Sequence, residues 1–291
     1  LKLKKILITG ASGQLGKALK TLFKSNYDII PTSKNYETYQ KNYFLDITNP
    51  ILIRDIVSAT SPDIIINLAA LTNVDLCEER PDLAFSVNFA GLQNIVEIFN
   101  GPIIQLSTDY VFDGKAGQYN ENSSVNPINV YGRTKLEAEN FLKENSKDSL
   151  IIRTNVLYDY VSESPASFLN WVVKSLQDDK KINVVDDQWN NPTWTKSIAV
   201  AIDKAIKFEL NGLIHWGDND YVSRYDFAIK IAETFQLNKK LIKPIKTAEL
   251  NQIAPRPLKG GLNMDRAKNI LNLEPSNIND CLKYIWDNIN A

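Results

Sequence analysis

Apolar residues in this chain gather in short unbroken runs, separated by stretches with helical spacing. The runs are KKILIT (4–9), YDIIP (27–31), NYFLD (42–46), DIIINLAA (63–70), PIIQLS (102–107), LIIRTN (150–155), INVV (182–185) and GLIHW (212–216). Several carry no polar alternation, the mark of strands buried on both faces of a parallel sheet. Between them, GQLGKALKTLFK places Leu15, Ala18, Leu19, Leu22 and Phe23 on one helical stripe. PDLAFSVNFAGLQNIVEIF (81–99) reads as a single helix leading into the strand before Ser107. Strands alternating with helices at this length predict an α/β fold, a doubly wound parallel sheet with helices on both faces.

The rhythm loosens near Asn155. SPASFLNWVVKSLQ (164–177) predicts a helix, INVVDDQWNNPTWT (182–195) is rich in turn chemistry, and helical patterns follow through SRYDFAIKIAETF, DRAKNILN and INDCLKYIWDNI. The expected organisation is a sheet domain over 1–154, with segments near 182–215 returning to it. Residues 155–181 and 216–291 then form a smaller, mainly helical lobe beside the strands' C-terminal edge.

The stretch ITGASGQLGKAL sets Gly10, Gly13 and Gly16 between the first strand and first helix. A glycine leaving the strand makes the tight turn, the second lets the backbone approach a pyrophosphate, and the third allows close helix packing. The helix start adds N–H groups and a positive dipole end. Ser12, Gln14 and Leu15 lie in the same turn. An acid at the end of the second strand would bind a ribose diol, but Asp28 enters that strand and would lie ~10 Å away. The strand leaves through Thr32, Ser33 and Lys34, hydroxyls and a cation that suit a 2′-phosphate. NADPH is therefore the preferred cofactor, with NADH as the alternative. Asp46, ending the third strand beside Ile47, could accept from an adenine amino group or cap the next helix, for which Thr48 is better placed.

Two further stretches carry reactive groups. STDYVFDG (107–114) leaves its strand with Thr108, Asp109 and Tyr110 in a row, where an ordinary turn needs only Gly, Asn or Asp. NVYGRTKLEAE (129–139) puts Tyr131 and Lys135 four apart on a helix, hence on one face. A close ammonium favours the phenolate of a tyrosine whose free pKa is ~10, which suits the phenol to acid/base work.

Composition narrows the options. Hydrophobic residues make up 44%, charged residues 23%, and the net charge is −1, a balance without the basic excess of a nucleic-acid binder. The apolar run Ile6–Ile8 is too short for a signal peptide or membrane span, and no other stretch reaches spanning length. Cys77 and Cys281 fit no metal spacing or disulfide framework, which points to a reduced, cytoplasmic setting. His215 is the single histidine, and in GLIHWG it reads as a packed strand residue, leaving no basis for a zinc site or a Ser-His-Asp triad.

The stretches TGASGQLG, NLAALTNVDLCEERPDLAFSVNFAG, STDYVFDG, NVYGRTKLEAE, DQWNNPT and APRP together resemble the extended short-chain dehydrogenase/reductases, most closely the dTDP-4-dehydrorhamnose reductase branch. The likeness covers nearly the whole chain and implies a Rossmann sheet. It implies that Thr108 holds a substrate carbonyl and that Tyr131 and Lys135 complete the catalytic set, both also touching cofactor. Asn88 matches the family asparagine on the helix beneath the site, and Leu68, Ala69 and Ala70 match the segment passing the cofactor ribose. Thr72, Asp109, Tyr110 and Asn155 would then line the sugar pocket. The implied reaction moves hydride from the nicotinamide to the C4 ketone of a nucleotide-linked 6-deoxy sugar, with no metal. A homodimer is compatible with this reading.

One position departs from the family pattern. Where rhamnose-type reductases carry a pocket tryptophan, this chain has Val156; Trp189 could supply the missing surface or could pack the lobe on the sheet. The stretch GLIHWGDNDYVSRYDFAIKIAETF also resembles the regulatory β subunit of methionine adenosyltransferase, so a non-catalytic cofactor-binding subunit is one alternative. A sugar-nucleotide epimerase is another, whereas Tyr110 in place of a glutamate argues against a dehydratase.

Overall fold

The computed structural model describes residues 2–34, 43–161 and 167–289. Asn42 of the expected third strand and Ser164–Ala166 of the expected helix lie outside the described residues. Seven strands form one sheet, in the order Gly212–His215, Leu150–Thr154, Ile103–Thr108, Ile64–Asn67, Lys5–Thr9, Asp28–Ser33 and Tyr43–Phe44. Every neighbouring pair is parallel, in registers such as Ile6↔Ile64 and Thr108↔Thr154. The winding reverses between Lys5–Thr9 and Ile64–Asn67, which opens a crevice at the strands' C-terminal ends.

Why the strands lack polar alternation is visible in the packing. Side chains alternate across a strand, so Ile6 and Ile8 enter one core while Leu7 enters the other. Ile64 and Ile66 against Ile65, and Leu150 and Ile152 against Ile151, repeat the arrangement. Leu15, Leu19 and Phe23 of the first helix (Gln14–Phe23) and the buried face of Thr195–Lys207 cover one side. Pro50–Thr60, Gly91–Ile98 and Val130–Asn145 cover the other.

A separate core belongs to the lobe. Helices Phe168–Gln177, Arg224–Thr234 and Ile278–Ile289 pack around Phe227, Ile231 and Leu282. The strand Ile182–Val185 pairs with Ile242–Ile245 in this lobe and does not join the main sheet. The return of the chain to the sheet therefore begins with Thr195–Lys207 and ends with the edge strand Gly212–His215, later than the pattern near 182 predicts.

Two local features also differ from the sequence reading. The helix expected over 81–99 is interrupted by a π-helical turn, Ser86–Ala90, between Pro81–Phe85 and Gly91–Ile98. The wider turn turns Asn88 inward, where it is buried. The helix Pro50–Thr60 is capped by neither Asp46 nor Thr48: the Asn49 side chain accepts from Ile51 N. Gly16 packs closely against the turn, since a Cβ there would fall 2.6 Å from Ala11 Cα. His215 is fully buried, its Nδ1 3.0 Å from Tyr119 O, and burial beside Arg153 pushes its pKa down to about 3. It is a neutral packed residue.

Candidate active site

A cleft of about 680 Å³ runs along the C-terminal ends of the strands and is lined by residues that follow nearly every one of them. At one end lies the glycine turn. Gly10 adopts φ +62°, and a Cβ there would meet Ala69 N at 2.9 Å, so the turn admits no larger residue. A Cβ on Gly13 would meet only Gly10 O, at 3.4 Å, leaving the cradle open toward the cleft. Gly13 is also the N-cap of the first helix and brings no side-chain cap. Gln14 Oε1 is buried without a hydrogen-bond partner in the same wall. An open backbone cradle at a helix start, with an amide acceptor awaiting a donor, fits a dinucleotide pyrophosphate and its neighbours.

The segment Leu68–Ala70 crosses the cleft floor and is fixed by a polar chain running across three strands. Thr9 Oγ1 donates to Asn67 Oδ1 (2.5 Å), and Asn67 Nδ2 donates to Gln105 Oε1 (2.7 Å). The amides of Leu68 and Ala69 both donate back to Thr9 Oγ1 at 3.1 Å. At the far edge Ser33 and Lys34 line the cleft with Asp46 and Ile47. Ser33 Oγ donates to Ser12 Oγ (3.0 Å), joining the strand exit to the glycine turn. Lys34 Nζ stands 2.6 Å from Asp46 Oδ2, and Thr48 donates to Asp46 Oδ1 through its amide and hydroxyl. Burial pushes the Asp46 carboxyl up, but these donors outweigh it and hold the group below its usual range. Asp46 is thus the partner of Lys34.

The reacting end is assembled by the helix Val130–Asn145. Asn129 caps it by accepting from Gly132 N at 2.8 Å, while Asn129 Nδ2 donates to Pro255 O (2.9 Å). Gly132 brings this helix against the strand exit, because a Cβ would strike Tyr110 O at 2.2 Å. Tyr131 consequently lines the cleft with Thr108 and stands edge-on to Tyr110, ring centroids 5.8 Å apart. Burial pushes the Tyr131 phenol above its ordinary value; the Thr108 hydroxyl opposes this, while Asp109 and Tyr110 add to it. The phenol is therefore a protonated donor, which corrects the expectation that Lys135 depresses its pKa. Lys135 instead donates from Nζ to Leu106 O at 2.6 Å. It is 4% exposed, and desolvation lowers its pKa to about 8 against the opposing pull of Glu139.

Glu139 lies one turn beyond Lys135 and anchors this helix to the sheet. It accepts from Arg153 Nε (2.8 Å) and Nη2 (2.6 Å) and from Ser107 Oγ (2.5 Å). Asp109 is buried, and burial raises its pKa to about 6 in spite of the hydrogen bond from Gly261 N (3.2 Å) and the nearby Arg224 charge.

The cleft brings together all the sequence-predicted site residues but two. Thr72, Thr108, Asp109, Tyr110, Tyr131, Lys135 and Asn155 line one half. Gly10, Ser12, Gly13, Gln14, Leu15, Gly16, Ser33, Lys34, Asp46, Ile47, Leu68, Ala69 and Ala70 line the other. Asn88 lies behind the wall: its side chain accepts from Leu71 N (2.7 Å) and donates to Leu71 O and Thr134 Oγ1. It shapes the segment without facing the cleft. Trp189 also stands outside. Its strand pairs with Val222–Ser223, and its ring packs on Tyr221 at 5.8 Å. The lining that includes Val156 does contain one phenylalanine, Phe168, which stacks on Phe227 with centroids 5.6 Å apart. Arg224 also enters the wall unannounced by the sequence, as the first residue of a capped helix.

A phosphate cradle and a protonated phenol meeting at one sheet edge, above a buried lysine, define the site of a short-chain dehydrogenase/reductase type of enzyme. The comparisons with known proteins narrow this class. Residues 4–290 match the model of the RmlD substrate binding domain, and the chain belongs to that family. It is 33% identical over 300 residues to the dTDP-4-dehydrorhamnose reductase of Aggregatibacter actinomycetemcomitans, covering 97% of this chain and 98% of that one. It is 29% identical over 276 residues to methionine adenosyltransferase 2 subunit beta of Xenopus tropicalis, with 92% and 82% covered. Among solved structures, a dTDP-4-dehydrorhamnose reductase from Bacillus anthracis in complex with NADP superposes with a TM-score of 0.89. It is 32% identical and covers 99% of this chain and 100% of that one.

No helix among the described residues is long and apolar enough to cross a membrane. No group of three or more His, Cys, Asp or Glu among them could hold a metal ion.

Proposed function

We propose that this chain reduces the C4 ketone of a nucleotide-linked 6-deoxy sugar, dTDP-4-dehydrorhamnose or a close analogue, with NADPH as cofactor. The observation that carries the reading is the meeting of Thr108, Tyr131 and Lys135 at the end of the dinucleotide cradle. Bound NADPH would supply hydride. Gly10, Gly13 and the first helix start would hold its pyrophosphate, Ser33 and Lys34 its 2′-phosphate, and Lys135 the nicotinamide ribose.

Thr108 donates a hydrogen bond to the substrate carbonyl and orients it. Tyr131 gives its proton to the oxygen as that oxygen becomes an alcohol. Lys135, fixed to Leu106 O, stands one turn along the same helix from the phenol and presents its ammonium to the cofactor side of the site. Tyr110, Asp109 and Phe168 shape the sugar site. Kinship to the methionine adenosyltransferase β subunit supports the other reading, a cofactor-binding subunit without turnover, and the same cleft would serve it.

A panel of 4-keto-6-deoxy sugar nucleotides, assayed for NADPH oxidation, decides between the two. Turnover of at least one member supports the reductase. NADPH binding with no turnover across the panel, together with co-purification with a larger catalytic partner, would leave the regulatory subunit.

A further inference from the structure

We infer that Arg224 is an anchor for the diphosphate of the nucleotide-linked substrate, across Tyr110 from the reacting phenol. The inference rests on the sugar-nucleotide reading above and adds a residue that neither the sequence motifs nor the reaction chemistry assigns.

Arg224 opens the helix Arg224–Thr234 and is partly exposed on the cleft wall. Its guanidinium lies over the Phe168 ring, Cζ to centroid 5.3 Å, and Phe168 rests on the buried Phe227. Its charge acts on the Tyr110 phenol, opposing the rise that burial imposes there. The head group therefore lies on an aromatic face in the wall of the crevice. A flat fork pre-positioned in this way matches phosphate oxygens in a manner a lysine cannot.

Among the described residues no carboxylate stands within 4.0 Å of the Arg224 guanidinium. Asp109 feels its charge, but that carboxylate already accepts from Gly261 N at 3.2 Å and from Thr108 Oγ1 at 3.4 Å. A second guanidinium, Arg256, acts on Arg224 with the same sign and is itself paired with Asp75 at 3.0 Å. A partly buried cation whose nearest carboxylate is already hydrogen-bonded elsewhere is stabilised by an anion that arrives with the ligand.

Position identifies that anion. The cofactor phosphates belong at Gly10–Gly16, the opposite end of the cleft. In a pyranose the C4 carbon lies across the ring from the anomeric carbon. With the C4 carbonyl at Thr108 and Tyr131, the anomeric phosphate projects away from the reacting phenol. Tyr110, edge-on to Tyr131 and acted on by the Arg224 charge, spans that interval.

The test is calorimetric titration of thymidine diphosphate into protein saturated with NADP+, for wild type, Arg224→Met and Arg224→Lys, beside thymidine as the phosphate-free probe. The expected result is a roughly 10- to 100-fold loss of diphosphate affinity in Arg224→Met, the scale of a lost charge-assisted contact, and a smaller loss in Arg224→Lys. NADP+ affinity should stay unchanged in both, which also reports an intact fold. Diphosphate affinity within twofold of wild type in a variant that still binds NADP+ would overturn the inference, as would an equal loss for thymidine. Binding needs no turnover. If no 4-keto sugar is reduced while diphosphate binding still depends on Arg224, the reductase reading fails and the anchor stands.

Discussion

Replacing Lys135 by Met removes a cation that the fold holds at a cost. The ammonium is 4% exposed, and burial brings its pKa from the ordinary 10.5 to about 8 even with Glu139 pulling the other way. Below pH 8 both folded and unfolded chains carry this proton, and the folded chain bears the cost of burying the charge. Between about 8 and 10.5 the folded chain has released the proton while the unfolded chain keeps it. Wild-type stability therefore gains with rising pH from this group, by roughly 3 kcal/mol over the whole interval. Met has no such titration. Met also removes the 2.6 Å bond to Leu106 O, which keeps Gln105 Nε2 as a donor at 2.8 Å, at a cost of about 1 kcal/mol that does not vary with pH. Urea unfolding of both proteins from pH 7 to pH 10 separates the two effects. The variant should be at its best relative to wild type at pH 7 and lose that standing steadily above pH 8. Stability curves that run parallel across the range would refute the buried-charge argument. The same variant should bind NADP+ more weakly and turn over slowly at every pH.

Tyr131→Phe should keep NADP+ affinity and lose ~10²–10⁴-fold in kcat, since only the proton donor disappears; steady-state kinetics beside a cofactor titration checks both halves. Asp46→Asn should free Lys34 from its 2.6 Å partner and tighten NADP+ relative to NAD+, whereas Lys34→Asp should reverse the preference; fluorescence titration with each nucleotide reads the ratio. Phe168→Ala should raise the sugar-nucleotide KM with little change in NADPH KM. Trp189→Ala, which removes the Tyr221 contact away from the cleft, should lower Tm and leave both KM values alone.

How far the sequence carries the reader depends on what kind of signal each residue leaves. Leu7 and its neighbours Ile6 and Ile8 announce a doubly covered strand, because two buried faces require apolar residues at every position. Tyr131 and Lys135 are readable because helical spacing alone places them on one face. Arg224 leaves no such trace. Beside the capping pair Ser223 and Asp226 it looks like any charged residue in a first helical turn, and only the packing of the lobe against the strand ends carries it to Tyr110. Phe168 is hidden for the same reason: its helix has an apolar face in any packing, and chain order does not say which residue joins Val156 in the cleft lining. Trp189 shows the converse. Its sequence neighbourhood is equally compatible with a pocket wall and with packing of the lobe; backbone pairing with Val222–Ser223 and the bond from Trp189 N to Leu258 O (2.7 Å) fix it beside Tyr221. Asn88 is intermediate, since the residue is recognisable but the π-helical turn that buries it is invisible to a 3.6-residue period.

The central claim is that hydride chemistry takes place at the carbon whose oxygen Thr108 and Tyr131 bind. It is tested most directly by incubating the protein with dTDP-4-dehydrorhamnose and NADPH carrying deuterium at both nicotinamide C4 positions, then locating the label in the sugar by NMR. One deuterium at sugar C4 of the alcohol product, lost together with turnover in Tyr131→Phe, is the predicted result. Cofactor consumed without label at C4, or label transferred undiminished by the Tyr131→Phe protein, would contradict the account.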